Sequence, residues 1–168
     1  YLDRRREYGP AVYDRAHVFT VDYVYLLPSF GDHWGGFAKV VLNGWQVSGI
    51  TRFWSGPPLT ITSNGNPGTL GGGVRADYLG GEIIPEDRTR LNWFNPFVFG
   101  RPVDGSLGNT GKNWLRAPGI NQWDFSVFKN TRITERVNVQ FRFETFNTFN
   151  HTQWSGVNTG ISGANPGS

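Results

Sequence analysis

Two neighbouring segments decide the fold of this chain: Trp123-Asp124-Phe125-Ser126-Val127-Phe128-Lys129 and, after a short polar turn, residues 137–146 (VNVQFRFETF). In the second segment, apolar side chains occupy every odd position from 137 to 143, and polar or charged side chains occupy every even position from 138 to 144. Because side chains alternate across a β-strand, one face of such a strand is apolar and the other is charged. A transmembrane β-barrel requires this pattern, since one face contacts lipid and the other lines the lumen. A soluble β-domain with a core of aromatic residues is the alternative.

Two earlier segments, residues 16–27 and 44–54, carry the same alternation. Each has close to the ~9–11 residues that a tilted strand needs to cross a bilayer. The segment around Trp123 reaches that length if it begins near Ile120. The sequence therefore predicts an all-β fold of antiparallel, up-and-down strands.

The connections between these segments alternate in length. Residues 28–43 and 130–136 are the shorter connections, whereas residues 55–119 form one long stretch rich in Gly, Pro and Asn. Membrane barrels carry short turns on the periplasmic side and long loops outside the cell. We therefore predict that residues 55–119 are an external loop region, with short strands such as one at residues 59–62.

Composition excludes several classes of protein. Of the 168 residues, 17% are charged and 15% are aromatic, with 23 Gly, 10 Pro and no Cys. This mixture favours strands and turns over helices, and it leaves neither disulfides nor thiolate metal ligands. No apolar run approaches the ~20 residues of a membrane helix. The one basic cluster, Arg4-Arg5-Arg6, is narrow and flanked by acidic residues, so we expect a solvated loop and no nucleic-acid partner.

Motifs for catalysis or cofactor binding are missing from the sequence. His17, His33 and His151 are far apart and have no metal-ligand spacing. Residues 105–113 (GSLGNTGKN) resemble a phosphate loop, but five residues separate the glycines and Asn113 replaces the Ser or Thr that holds magnesium. We therefore expect no enzyme activity, no metal and no cofactor.

Two sets of residues are candidates for function. The first set has the polar orientation on the predicted strands and is predicted to face the lumen: Asp22, Gln46, Arg52, Asp124, Asn138, Gln140, Arg142 and Glu144. The second set consists of aromatic residues in or beside predicted loops, which are candidates for ligand contact: Trp54, Trp93, Trp114 and Trp154. Opposite charges on a lumen face are expected to hold the wall and its contents in register more often than to catalyse a reaction.

With these residues in view, the chain resembles the C-terminal barrel region of TonB-dependent outer membrane receptors. The closest likeness is to the Oar-like branch, which carries a carboxypeptidase-regulatory-like domain. The resemblance rests on motifs in the family's order: YDRAHVFT (13–20), GWQVSGIT (44–51), SGPPLT (55–60), NPF (95–97), GNTGKN (108–113), LRAPG (115–119) and residues 124–151, which end in FNTFNH (146–151).

The resemblance implies a place in the bacterial outer membrane and TonB-driven uptake of a bulky ligand. Its implied partners are the plug and other strands of the receptor, TonB through that plug, and outer membrane lipid. We expect residues 1–168 to be a partial barrel segment without a plug domain or a closing C-terminal strand. Two alternatives remain open: a secreted structural or adhesive β-protein that self-assembles through its strand edges, and a carbohydrate-binding β-domain.

Overall fold

The computed structural model describes residues 4–64, 68, 74–89, 91–154 and 156–161, with the side chains of Arg4 and Arg6 outside that description. The chain divides into two compact units. The strand unit comprises His17–Ser55 and Gly119–Gln153, and the loop unit comprises Tyr1–Ala16, Gly56–Pro118 and Trp154–Ser168.

Strands are the main regular secondary structure of the described residues. The strands are β1 (Val18–Leu26), β2 (Trp45–Trp54), β3 (Pro58–Leu59), β4 (Thr62–Ser63), β5 (Asp77–Tyr78), β6 (Phe99–Gly100), β7 (Leu115–Arg116), β8 (Ile120–Arg132), β9 (Asn138–Thr145) and β10 (Gly160–Ile161). In the strand unit, β1, β2, β8 and β9 form one four-stranded antiparallel sheet in that order. The predicted all-β, antiparallel fold is confirmed, and the strand predicted near Trp123 begins at Ile120.

The two ends of this sheet differ in their connections. At one end, which we call the hairpin end, residues 27–44 join β1 to β2 and residues 133–137 join β8 to β9. At the opposite end the chain leaves β2 and returns to β8 only after residues 55–119. The alternation of short and long connections that the sequence predicted therefore follows the two ends of the sheet.

The connection from β1 to β2 contains helices that the sequence analysis did not predict. A 3-10 helix, Phe30–His33, precedes the α-helix α1 (Gly36–Leu42). Gly35 and Gly36 begin α1 with φ angles of 62° and 52°, a region that favours glycine. No helix in the described ranges has the length and apolar character needed to cross a membrane.

The loop unit has a hydrophobic core of its own. Its short strands pair as β3 with β7, β5 with β6, and β4 with β10. The buried side chains that they enclose are those of Ile61, Ala76, Phe94, Val98, Phe99 and Leu115. The described part of residues 56–118 is therefore folded around apolar contacts, although its sequence is typical of a loop.

Polar side chains of the 108–113 motif hold this unit together. The Thr110 hydroxyl donates to the Ala76 carbonyl oxygen at 2.8 Å, and the Asn109 carbonyl oxygen Oδ1 accepts the Tyr78 backbone N–H at 2.6 Å. Asn113, with a φ of 56°, accepts the Thr60 hydroxyl at 2.7 Å. These contacts give the motif a structural role in place of phosphate binding.

Candidate functional site

The register of the sheet separates its residues into two faces. Val18 pairs with Trp54, Trp45 with Lys129, and Phe125 with Thr145, so even-numbered residues share one face and odd-numbered residues share the other. The face of even residues, which we call the polar face, carries all of the residues predicted to face a lumen: Asp22, Gln46, Arg52, Asp124, Asn138, Gln140, Arg142 and Glu144.

The Asp124 carboxylate lies at the centre of a hydrogen-bonded cluster on the polar face. Its oxygens accept the Arg52 guanidinium at 3.2 Å and the Gln122 amide at 3.0 Å. They also accept the backbone N–H of Asn147, which follows β9, at 3.0 Å. The Asp124 side chain is only 15% exposed, so these donors replace the water that the carboxylate loses. The cluster connects β2, β8 and the turn after β9.

A second group of contacts joins β8 to β9 farther along the polar face. Glu144 lies 3.7 Å from Arg142, and the Arg142 guanidinium lies 4.6 Å from the centre of the Phe128 ring. Gln140 donates from its amide to Asn130 at 2.8 Å. Three of the predicted residues, Asp22, Gln46 and Asn138, share the face without a side-chain hydrogen bond or ion pair to any described residue.

The opposite face, which we call the apolar face, is dominated by aromatic and β-branched residues. Its members on the four strands are Phe19, Val21, Tyr23, Tyr25, Trp45, Val47, Gly49, Thr51, Phe53, Asn121, Trp123, Phe125, Val127, Lys129, Thr131, Val139, Phe141, Phe143 and Thr145. Near the end opposite the hairpin end, the aromatic rings form a row across the sheet. Phe53 contacts Phe19 at 6.2 Å and Trp123 at 5.6 Å between ring centres, and Trp123 contacts Phe149 at 5.5 Å.

Exposure distinguishes this apolar face from a protein core. Phe141 is 63% exposed and Phe143 is 55% exposed, at the middle of β9. Monomeric soluble proteins rarely expose contiguous apolar patches of this kind, and such patches mark contact with protein or membrane. The alternation therefore leaves the Phe141 and Phe143 side chains largely uncovered by the described residues.

The predicted ligand-contact tryptophans lie in both units. Trp54 ends β2 in the strand unit and donates its indole N–H to Thr20 at 3.1 Å. Trp93 and Trp154 belong to the loop unit. Trp93 packs against the core of that unit and donates its indole N–H to the Arg116 carbonyl oxygen at 2.8 Å. Trp114 is 50% exposed in the same unit and meets the Tyr78 ring edge-on at 5.3 Å.

Two members of the Asp124 cluster, Gln122 and Asn147, were missed by the sequence analysis. Gln122 has the same parity as Asp124 in β8, so the alternation itself could have identified it. Asn147 contributes its backbone N–H, and its φ of 50° comes from a turn in which its side chain bonds the His151 backbone. That contribution leaves no signal in a strand pattern.

Titratable side chains form no metal centre in the described part of the chain. No group of three or more His, Cys, Asp or Glu side chains there could hold a metal ion. The one titratable group at the hairpin end with a shifted pKa is Asp32 in the connection of residues 27–44. The Lys39 ammonium and the Asn43 amide hold the pKa of Asp32 below its ordinary value, by hydrogen bonds to its carboxylate.

Comparison with known proteins agrees with the two-faced sheet. The model of the outer membrane beta barrel domain family matches residues 1–168, the whole chain. No curated protein and no solved structure matches the chain. The chain belongs to the outer membrane β-barrel domain family, and its place is the bacterial outer membrane.

Proposed function

We propose that this outer membrane β-barrel chain forms part of the wall of a TonB-dependent receptor of the Oar-like branch, which imports a bulky ligand. The observation that carries the proposal is the polar face, where the register aligns charged side chains opposite an apolar surface. The sequence motifs that resemble the C-terminal barrel region of those receptors support the finer assignment.

The polar face is suited to line a water-filled or plugged lumen. Charged residues on the lipid side of a barrel are costly, whereas the lumen tolerates them. The Arg52–Asp124 pair, at 3.2 Å, and the Arg142–Glu144 pair, at 3.7 Å, would then lie inside the barrel. Such a wall presents charge and hydrogen-bonding groups to whatever fills the lumen.

The partners that we propose follow from the edges and faces of the sheet. β1 and β9 are its edge strands among the described residues. In lipid every backbone polar group needs a partner, so further strands must pair with these edges. The proposed partners are those strands, a plug, TonB through the plug, and lipid against the apolar face. In this proposal the chain binds no nucleic acid or cofactor and catalyses no reaction.

Among the predicted ligand contacts, Trp114 is the one that the geometry favours. Half of its surface is exposed, and the Tyr78 ring supports it edge-on. Trp93, by contrast, has the Arg88 guanidinium 3.6 Å from its ring centre and its N–H already bonded. We propose that Trp114 contacts the imported ligand from the loop unit, where an exposed indole suits an apolar or sugar face.

Energy-dependent uptake tests the proposal. Cells with and without the gene for the protein that carries this chain would be given fluorescent ferric siderophore, cobalamin and oligosaccharide conjugates. We expect one of these to accumulate only in cells with the gene, and a protonophore or deletion of TonB to abolish the accumulation. Gene-dependent entry that survives both treatments would indicate a passive channel and contradict the proposal.

The main alternative is self-assembly through the open edges β1 and β9, as in a secreted structural protein. Purification without detergent discriminates between the two functions. Large soluble assemblies would favour pairing between copies, whereas a protein that stays with the membrane fraction supports the receptor.

A further inference from the structure

The C-terminal end of α1 is held against the apolar face of the sheet. Trp45 donates its indole N–H to the Val41 carbonyl oxygen at 2.8 Å. Lys129 donates its ammonium to the carbonyl oxygen of Val40 at 2.8 Å and also to that of Asn43. Trp45 and Lys129 are cross-strand partners with odd numbers, so both belong to the apolar face. The connection between β1 and β2 is therefore fastened on the side of the sheet that faces lipid in a barrel.

α1 and the segment before it present an apolar stripe, which consists of Trp34, Phe37, Val40 and Val41. Phe37, Val40 and Val41 lie three and four residues apart on one face of α1. Trp34 lies two residues before the helix begins. Trp34 is 78% exposed and Phe37 is 83% exposed, and α1 has no buried residue. A surface helix of a globular protein normally turns such a stripe toward the core. Here the Trp34 and Phe37 side chains are exposed instead.

Basic side chains line a cleft next to this stripe. The cleft has a volume of about 270 Å³, and its lining includes Lys39 of α1 and Lys129 of the apolar face. The acidic group beside it is Asp32, which pairs with Lys39 at 3.2 Å. The cleft therefore has an excess of positive charge, which suits the phosphate of a phospholipid headgroup.

The hairpin end carries the shorter connections, and in outer membrane barrels these lie on the periplasmic side. We propose that α1, with Trp34 and Phe37, is an interfacial anchor in the periplasmic leaflet of the outer membrane, and that the basic cleft holds a phospholipid phosphate. Membrane is the occupant that the geometry favours, because the stripe continues the lipid-facing apolar face. Amphipathic helices of this type lie ~5–10 Å deep at the boundary of headgroups and acyl chains. The inference depends on membership of the barrel family and not on transport.

Spin labelling tests the anchor directly, because residues 1–168 contain no cysteine and any cysteine elsewhere in the protein would first be replaced by serine. Phe37→Cys places a nitroxide on the stripe at a side chain that packs against little. Glu135→Cys is the matched control, because it is exposed at the same end of the sheet in residues 133–137. Both variants of the protein that carries this chain would be reconstituted in phosphatidylethanolamine–phosphatidylglycerol bilayers. The collision rates of the labels with oxygen and with a water-soluble nickel chelate would then be compared.

We expect the ratio of the oxygen collision rate to the nickel collision rate to be several-fold higher for the label at position 37 than for the label at position 135. Equal nickel accessibility at the two positions would overturn the anchor. The Lys39→Gln variant tests the cleft, and we expect the label at position 37 in it to collide less often with oxygen and more often with the nickel chelate. Inorganic phosphate added to the unchanged protein should leave the label in place if the phosphate belongs to lipid. An unchanged depth of the label in Lys39→Gln, or its displacement by free phosphate, would overturn the lipid phosphate site.

Discussion

At the residue scale, the Asp124 carboxylate gathers donors from three parts of the strand unit. Its loss in Asp124→Ala leaves the Arg52 guanidinium without its partner and the Asn147 N–H without its acceptor. Hydrogen bonds to charged groups contribute more than neutral ones, and their unpaired partners are costly. Because Arg52 is 32% exposed and can recover some hydration, we expect a loss of about 1–3 kcal/mol, measured by urea unfolding in lipid vesicles.

Asp22→Ala is the matched control for that substitution. Asp22 lies on the same polar face, two strands from Asp124, with Ile50 of β2 between them. Its carboxylate is exposed and bonds no described residue, so its removal should change the free energy of unfolding by no more than about 0.5 kcal/mol. Equal losses in the two variants would contradict the view that the Asp124 cluster holds the strands together.

Asp32 provides a pH-dependent contact at the hairpin end. Because the pKa of Asp32 is lowered in the folded protein, chiefly by Lys39, its contribution to stability is present above the ordinary carboxyl pKa. That contribution is lost as the pH falls through the lowered pKa, below about pH 4. We expect Lys39→Gln to raise the pKa of Asp32 toward its ordinary value in a carboxyl NMR titration. Arg136→Gln, which removes a cation that does not bond Asp32, should leave the titration unchanged.

At the scale of the element, adjacent residues of β9 are predicted to contact different surroundings. One contacts lipid, and the next faces the lumen. Phe141 lies on the apolar face at the middle of the strand, and Gln140 lies beside it on the polar face. An arginine on the lipid face near the bilayer midplane costs about 2–4 kcal/mol. We therefore expect Phe141→Arg to lower the free energy of unfolding in vesicles by that amount and Gln140→Arg to lower it by much less. Similar costs at both positions would contradict lipid exposure of the apolar face.

The sequence predicted the long strands well and the helix α1 not at all. A period of two repeated over eight or more residues is a strong local signal, and β1, β2, β8 and β9 follow it to within a few residues. α1 has seven residues and begins at two glycines. The contacts that hold α1 come from Trp45, which begins β2, and from Lys129, which lies in β8 and is distant in sequence. Tertiary contacts of this kind are absent from a local pattern.

At the scale of the whole molecule, the loop unit is the part whose strands and core the sequence pattern did not predict. Its strands have two residues each, too few for any periodicity, and Ile61, Phe99 and Leu115 meet only through the fold. Asn109, Thr110 and Asn113 were visible as a motif, yet the partners of their side chains lie in segments distant in sequence. The polar face was predictable because alternation alone places its residues, whereas the exposed state of Trp114 was not.

The orientation of the molecule in the membrane is predicted from the lengths of the connections at the two ends of the sheet. Leu91, 89% exposed in residues 55–119, and Glu135, in residues 133–137, belong to connections of very different length. Because long loops lie outside the cell and short turns lie in the periplasm, we expect a bulky polyethylene glycol maleimide to label Leu91→Cys in intact cells. It should label Glu135→Cys only after the outer membrane is permeabilised. Residues 1–168 contain no cysteine, so in a protein whose other cysteines are replaced by serine each signal comes from one site. Labelling of Glu135→Cys but not Leu91→Cys in intact cells would invert the orientation and place the α1 anchor on the outer surface.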